Sequence, residues 1–170
     1  AMSTLPLSDL LVVSLEQAVA APYCTRLLAE GGARAIKLER REGDFARAYD
    51  TAIHGQSAYF VWLNSGKESL VVDLTRAEDA ALLRGMLARA DVFIQNLKPG
   101  SVDKLGFGFE AVHALNPRLV MCSISGYGAT GPYADMKAYD ALIQAESGLC
   151  SVTGAPGQPS KVGASICDIS

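Results

Sequence analysis

Asp168 is the side chain of this sequence whose setting most suggests chemistry. It is the one carboxylate in "GASICDIS" (163–170), a run of small and apolar residues. A carboxylate held partly out of water near hydrogen-bond donors can act as a nucleophile. Aspartate is also a preferred helix N-cap, and a cap needs no chemistry. The local sequence admits both readings. A second set is cationic: Arg40, Arg41, Lys98, Lys104 and Lys137 each follow a stretch that reads as a strand or the loop beyond it. Gathered on one edge, they would make a basic rim for an anionic, phosphate-bearing ligand. Taken singly, they would be solvated surface charges.

Other motifs carry less. "GYGATG" (126–131) has the letters of G-x-G-x-x-G. That fingerprint needs a strand before it, a helix opening within it and an acidic residue about 20 positions on. Here Pro132 follows at once, and the match falls after the last strand. A flexible glycine-rich loop is the better reading. His54 in "AIHGQS" and His113 in "AVHALN" have no serine, cysteine or carboxylate motif around them, so a structural or solvated role is expected. Cys24, Cys122, Cys150 and Cys167 are far apart and lack metal-ligand or C-x-x-C spacing. No metal site is expected, and scattered thiols fit a reducing cytoplasm.

The elements that must position these residues alternate. "LLVVSL" (10–15) is a short apolar run suited to a strand buried on both faces. Pro22 opens a helix to about Leu28, which Gly31-Gly32 closes. Further strands read at 34–40, 69–74, 91–96 and 118–125. Thr75 and Glu78 suggest a capping box ahead of a helix to Ala90, whose Ala80, Leu83 and Leu87 have helical spacing. Residues 101–116 read as two short helices broken near Gly106, and Ala138, Leu142, Ala145 and Leu149 mark another helix. Segment 41–66 reads as an excursion over the sheet. Strands alternating with helices imply an α/β fold with a doubly wound, Rossmann-like parallel sheet. Ligands of such sheets bind at the carboxyl ends of the strands.

The 170 residues suffice for a real core, and 49% hydrophobic with 19% charged residues fits a globular chain. A net charge of −3 argues against nucleic acid or an anionic membrane as the main partner. No apolar run approaches the roughly 20 residues of a membrane span. Ala1 ahead of Met2 reads as a cloning remnant.

From about residue 6 onward the sequence resembles the amino-terminal part of the class III coenzyme A transferases. The resemblance rests on "IKLERREGDFAR", "NSGKESLVVDL", "DVFIQNLKPGSVDKLGFGFE", "SISGYGATGPY", "YDALIQAESGLCSVTG" and "KVGASICDIS", in order. That family includes formyl-CoA transferase, carnitine CoA-transferase and the alpha-methylacyl-CoA racemases. It implies a Rossmann-like large domain, of which residues 1–170 would be one partial domain, the amino-terminal portion. It also implies chains about twice as long, interlocked in a homodimer. The family continues past the aspartate into a helix, so Ser170 would not end a natural domain and the 170-residue piece alone would be inactive.

The resemblance implies roles for single residues. Asp168 stands at the catalytic aspartate, which forms anhydride and aspartyl-CoA thioester intermediates. Arg40 matches an arginine that contacts coenzyme A, and Asn96 and Leu97 match a pair lining its site. Lys104 stands where formyl-CoA transferase has arginine, which keeps the charge and loses the bidentate fork. Lys137 and Tyr139 match a lysine and a tyrosine beside the coenzyme and the reacting acyl group. Asp140 replaces a glutamate and Val19 a glutamine of that enzyme. No cofactor is bound permanently; coenzyme A arrives as part of the acyl-CoA substrate. The second substrate is a small carboxylic acid, most similar in motif to the short dicarboxylates mesaconate, itaconate or succinate. The racemases carry a histidine base where this chain has Tyr139, and a phenol, with a reference pKa of about 10, is a poor base near neutrality. Transferase is therefore the main expectation. Racemase-type isomerisation and a non-catalytic coenzyme A-binding fragment are the alternatives.

Overall fold

Five strands form one parallel sheet: β1 (Leu11–Leu15), β2 (Arg34–Glu39), β3 (Glu68–Val71), β4 (Val92–Gln95) and β5 (Val120–Ser123). Their order is β3-β2-β1-β4-β5, and every neighbouring pair runs parallel. This computed structural model describes residues 5–170. Ala1 and Met2 lie outside the described residues. β1 holds the centre, with Val12 opposite Ala35 of β2 and Val92 of β4. Its apolar run is continuous because both of its faces are covered. Val12 joins Ala21, Ala35 and Ile94 in one cluster, while Val13 and Leu15 join Leu83, Leu87, Phe93, Phe107 and Val112 in another. The first cluster seats α1 (Ala20–Glu30); the second seats α3 (Ala77–Leu87) and α5 (Phe109–Leu115). This is the doubly wound arrangement expected from the alternation of elements, and the strand order reverses between β1 and β4.

The excursion at 41–66 contains a 3-10 turn, Phe45–Ala48, and the short helix α2 (Ala58–Leu63). Asp50 organises it, accepting from the N–H groups of Ala52 and Ala58 and from the Ser57 hydroxyl. Residues 101–116 break as expected into α4 (Ser101–Lys104) and α5, with Gly106 between them at φ 80°.

Three local expectations need correction. α1 begins two residues ahead of Pro22, which sits at the third helical position, where its missing N–H loses no helical bond. The capping box at Thr75 does not form: Arg76 is the N-cap of α3 and makes no side-chain cap bond. Asp73 instead accepts from both the N–H and the hydroxyl of Thr75, at 3.0 and 2.6 Å, an Asx turn that outcompetes the cap. The helix expected to run through Ala138 and Leu149 is only α6 (Asp140–Glu146). Gly148, left-handed at φ 79°, stops it, and Leu149 begins a 3-10 turn.

The described chain divides into two compact units, one running to Ile124 and the other Ser125–Ser170. The second holds α6, a two-residue hairpin of β6 (Gly154–Ala155) with β7 (Gln158–Pro159), and the final turn α7 (Ile166–Ile169).

Candidate active site

In the first unit the loops leaving β1, β2, β3 and β4 enclose a cavity of about 460 Å³. Leu15, Leu38, Val72, Leu74, Leu97 and Leu105 give it apolar walls, and Arg40 and Arg41 contribute cations. It lies at the strand ends where a doubly wound sheet binds its ligand. Arg40 reaches the Gly43 carbonyl at 3.4 Å, and neither it nor Arg41 has an ion-pair partner among the described residues. Leu97 lines the cavity. Asn96 acts one step behind it: its side-chain oxygen accepts from the Gln17 N–H at 2.9 Å and its NH2 donates to the Gln17 carbonyl at 2.8 Å. Asn96 thereby fixes the loop that follows β1.

The rim is not uniformly basic. Lys98 and Lys104 are exposed and do not line the cavity, whereas Glu16, Glu39, Glu42, Asp44 and Asp73 do. Three of those acids belong to a buried set of charges that sequence reasoning did not find. The Lys37 ammonium donates to Asp44 at 2.6 Å and to Asn64 at 2.9 Å. Lys67 donates to Glu16 at 2.7 Å and to the Pro22 carbonyl at 2.8 Å, and Thr25 donates to the other Glu16 oxygen. Arg47 forks onto both oxygens of Glu39, at 3.0 and 2.7 Å. The side chains of Glu16, Lys37, Asp44, Lys67 and Glu39 are at most 2% exposed. Burial alone raises the Glu39 carboxyl; Arg47, the Ser69 hydroxyl and the Asp44 N–H outweigh it and hold the group down at about 2. Burial pushes the Lys67 ammonium down to about 8, against the pull of Glu16. A signal existed: Lys37 lies inside the apolar run of a strand flanked on both sides, where a charge can only be paired.

In the second unit Asp168 is the third residue of α7. The cap reading is therefore overturned, since Ser165 occupies the N-cap position. Asp140, the first residue of α6, does the capping work: its Oδ1 accepts from the Cys167 N–H at 2.8 Å and, longer, from the Asp168 N–H at 3.4 Å. The Asp168 carboxylate is half-buried, and no hydrogen bond reaches it among the described residues. Burial, and then the neighbouring charge of Asp140, raise its pKa above the ordinary carboxyl value. Tyr139 is the N-cap residue of α6 and is 64% exposed, and Lys137 precedes it on the same exposed loop. The Asp140 side chain thus meets the Asp168 backbone, with Tyr139 next to Asp140 in sequence, while Arg40, Asn96, Leu97 and Lys104 belong to the first unit. Gln144, also missed by sequence reasoning, is fully buried and donates to Asp140 Oδ2 at 2.6 Å.

The glycine-rich stretch 126–131 opens no helix, so the dinucleotide fingerprint fails on structure as on sequence. Gly126 is required for a different reason: a Cβ there would collide with the Ala138 side chain. His113 stacks on Phe109 on the exposed face of α5, at 5.3 Å between ring centroids. No cluster that could hold a metal ion occurs among the described residues.

The chain is similar to characterised relatives and to solved structures. The chain is 43% identical over 160 residues to acetyl-CoA:oxalate CoA-transferase of Acetobacter aceti, covering 93% of this chain and 41% of that protein. It is 42% identical over 173 residues to succinate–glutarate CoA-transferase of Agrobacterium fabrum, covering 96% and 43%. The crystal structure of a CAIB/BAIF family protein from Brucella suis superposes with a TM-score of 0.91 at 40% identity, covering 98% of this chain and 46% of that one. The chain spans less than half the length of the relatives it matches. The family model for CoA-transferase family III matches residues 7–170, so the chain belongs to that family.

Proposed function

We propose that the protein moves coenzyme A from an acyl-CoA to a small carboxylic acid, with Asp168 as the nucleophile. The observation that carries this reading is the Asp168 carboxylate: partly desolvated, with a raised pKa, and free of donors among the described residues. The donors expected beside it are not found among the described residues; desolvation alone leaves the ionised carboxylate less stabilised, and so more nucleophilic, than a solvated one. It attacks the thioester carbonyl, the C–S bond breaks, and coenzyme A leaves as thiolate with a mixed anhydride formed on Asp168. The thiolate then attacks the aspartyl carbonyl, which expels the donor acid and leaves an aspartyl-CoA thioester. The acceptor carboxylate repeats the first step on that thioester, and the thiolate attacks the acceptor carbonyl of the second anhydride. Asp168 is regenerated and no redox partner or permanent cofactor is consumed.

Arg40 and Leu97 line the cavity of the first unit, which we assign to the coenzyme, and Asn96 sets its wall; for Lys104 and Lys137, which lie outside that cavity's lining, only resemblance to the family supports a role toward the coenzyme. Tyr139 lies beside the reacting acyl group. The relatives named for oxalate and for succinate and glutarate support a short dicarboxylate as the acceptor. Resemblance to the family supports a homodimer, and the four scattered free thiols fit a cytoplasmic setting. No helix among the described residues is long and apolar enough to cross a membrane.

The test is a panel assay of the full-length protein in heavy water, with acetyl-, succinyl- and 2-methylacyl-CoA as donors and oxalate, succinate, glutarate, mesaconate and itaconate as acceptors. New acyl-CoA is expected with at least one dicarboxylate and no deuterium at the alpha carbon. Deuterium entering at the turnover rate, with no new acyl-CoA, makes the protein an isomerase instead.

A further inference from the structure

Gln144 does nothing in the reaction written above, yet its side chain is fully buried and every polar atom of its amide is engaged. Its Oε1 accepts from the Val162 N–H at 2.7 Å. Its NH2 faces three acceptors: Asp140 Oδ2 at 2.6 Å, the Ala164 carbonyl at 3.2 Å and the Val162 carbonyl at 3.4 Å. Toward Val162 the amide behaves like a strand neighbour, offering an acceptor and a donor to one residue's backbone. The segment it grips has no regular structure of its own and leads directly into α7. Asp140, one helical turn before Gln144, holds the far end of the same segment through the N–H groups of Cys167 and Asp168. One carboxylate oxygen of Asp140 is thus committed to the amide and the other to the turn that carries the nucleophile.

We propose that Gln144 is a positioning residue for Asp168: it clasps residues 162–164 and orients the Asp140 carboxylate that holds the start of α7. The inference rests on the reading of Asp168 as nucleophile. α6 serves as the rigid bar, with the clasp fixing both ends of the strap against it. A short irregular segment without such anchors samples many backbone conformations, and misplacement of a reacting atom by about 1 Å can slow a reaction by about 10²-fold.

The experiment uses the full-length protein with two variants. Gln144→Met keeps the volume and removes all four contacts. Gln144→Glu keeps the acceptor for Val162 but sets a second carboxylate against Asp140 until it is protonated. Gln144→Met is expected to lower kcat by about 10²-fold and to move the acyl-CoA KM by less than about threefold, because the hydrogen-bond partners of Gln144, namely Asp140, Val162 and Ala164, all belong to the second unit and the cavity lining to the first. Gln144→Glu is expected to recover rate, relative to the native enzyme at the same pH, as pH falls from about 8 to about 5. A loss explained wholly by a smaller folded fraction, or a Gln144→Glu ratio flat with pH, overturns the proposal. Where Gln144→Met does not fold, Gln144→Glu carries the test. If the native protein transfers no coenzyme A, the reading of the activity fails by itself. The clasp is then decided by carbon-13 titration of the Asp168 carboxyl, whose midpoint should move from its native position in either variant that folds; an unmoved midpoint overturns it.

Discussion

Asp168→Asn replaces one oxygen by NH2 and leaves the shape of the side chain nearly intact, so it isolates the charge. Turnover in the full-length enzyme is expected to fall by at least about 10⁴-fold, the scale at which loss of a covalent nucleophile is felt. Coenzyme A binding should persist in calorimetry, because Asp168 is absent from the cavity at the strand ends. Near-normal turnover of the folded variant would remove Asp168 from the mechanism. Arg40 is a different case. It lines the cavity without an ion-pair partner among the described residues, so its charge remains available to a ligand. Hydrogen bonds to charged groups contribute about 1.5–3 kcal/mol. Arg40→Ala is therefore expected to raise the acyl-CoA KM by about tenfold or more and to leave the acceptor constant unmoved. Steady-state kinetics with the acceptor saturating checks this, and an unchanged acyl-CoA KM would make Arg40 an ordinary surface cation. Lys104 is expected to matter less, since it is exposed on α4 and outside the cavity.

At the scale of elements, the turn after β2 is held by its acids. Glu39 ends β2, and its carboxyl titrates near 2 instead of its ordinary 4.5, so the folded protein holds that proton less tightly than the unfolded chain. Stability from this group is present above about pH 4.5 and is lost as pH falls toward 2. The loss is on the order of 2–3 kcal/mol, allowing for screening of the half-exposed Arg47. Glu39→Gln should be less stable at neutral pH and flatter over the acid limb; urea unfolding at stepped pH checks it, and parallel acid limbs for the two proteins refute it. Strand and helix order was legible because hydrophobic period and length carry it: all five strands lie where the apolar runs do. What failed was local competition. Asp73 captured Thr75 before it could cap α3, and Gly148 cut α6 short of Leu149. The candidate site was legible only where a residue matched a motif. Gln144 was missed because its backbone partners Val162 and Ala164 lie 18 and 20 residues away, whereas Lys37 was missed despite a local signal, a charge inside an apolar run.

At the scale of the whole molecule, the chain offers two units, a sheet whose strand ends enclose a cavity and a smaller body that carries the candidate nucleophile. A homodimer is expected for the full-length protein, and light scattering at micromolar concentration should return twice the chain mass; a mass equal to one chain refutes it. The buried charges of the first unit have a consequence for biosynthesis. Glu16, Thr25, Lys37, Glu39, Asp44, Arg47, Asn64, Lys67 and Ser69 all come from the first three strands and the elements between them. These residues leave the ribosome ahead of β4, so the ionic set can close before the rest of the sheet has emerged. Until then the half-sheet exposes the flank of β1 that β4 will cover, and the nascent chain must keep that edge from other partners during the synthesis of about twenty-five further residues.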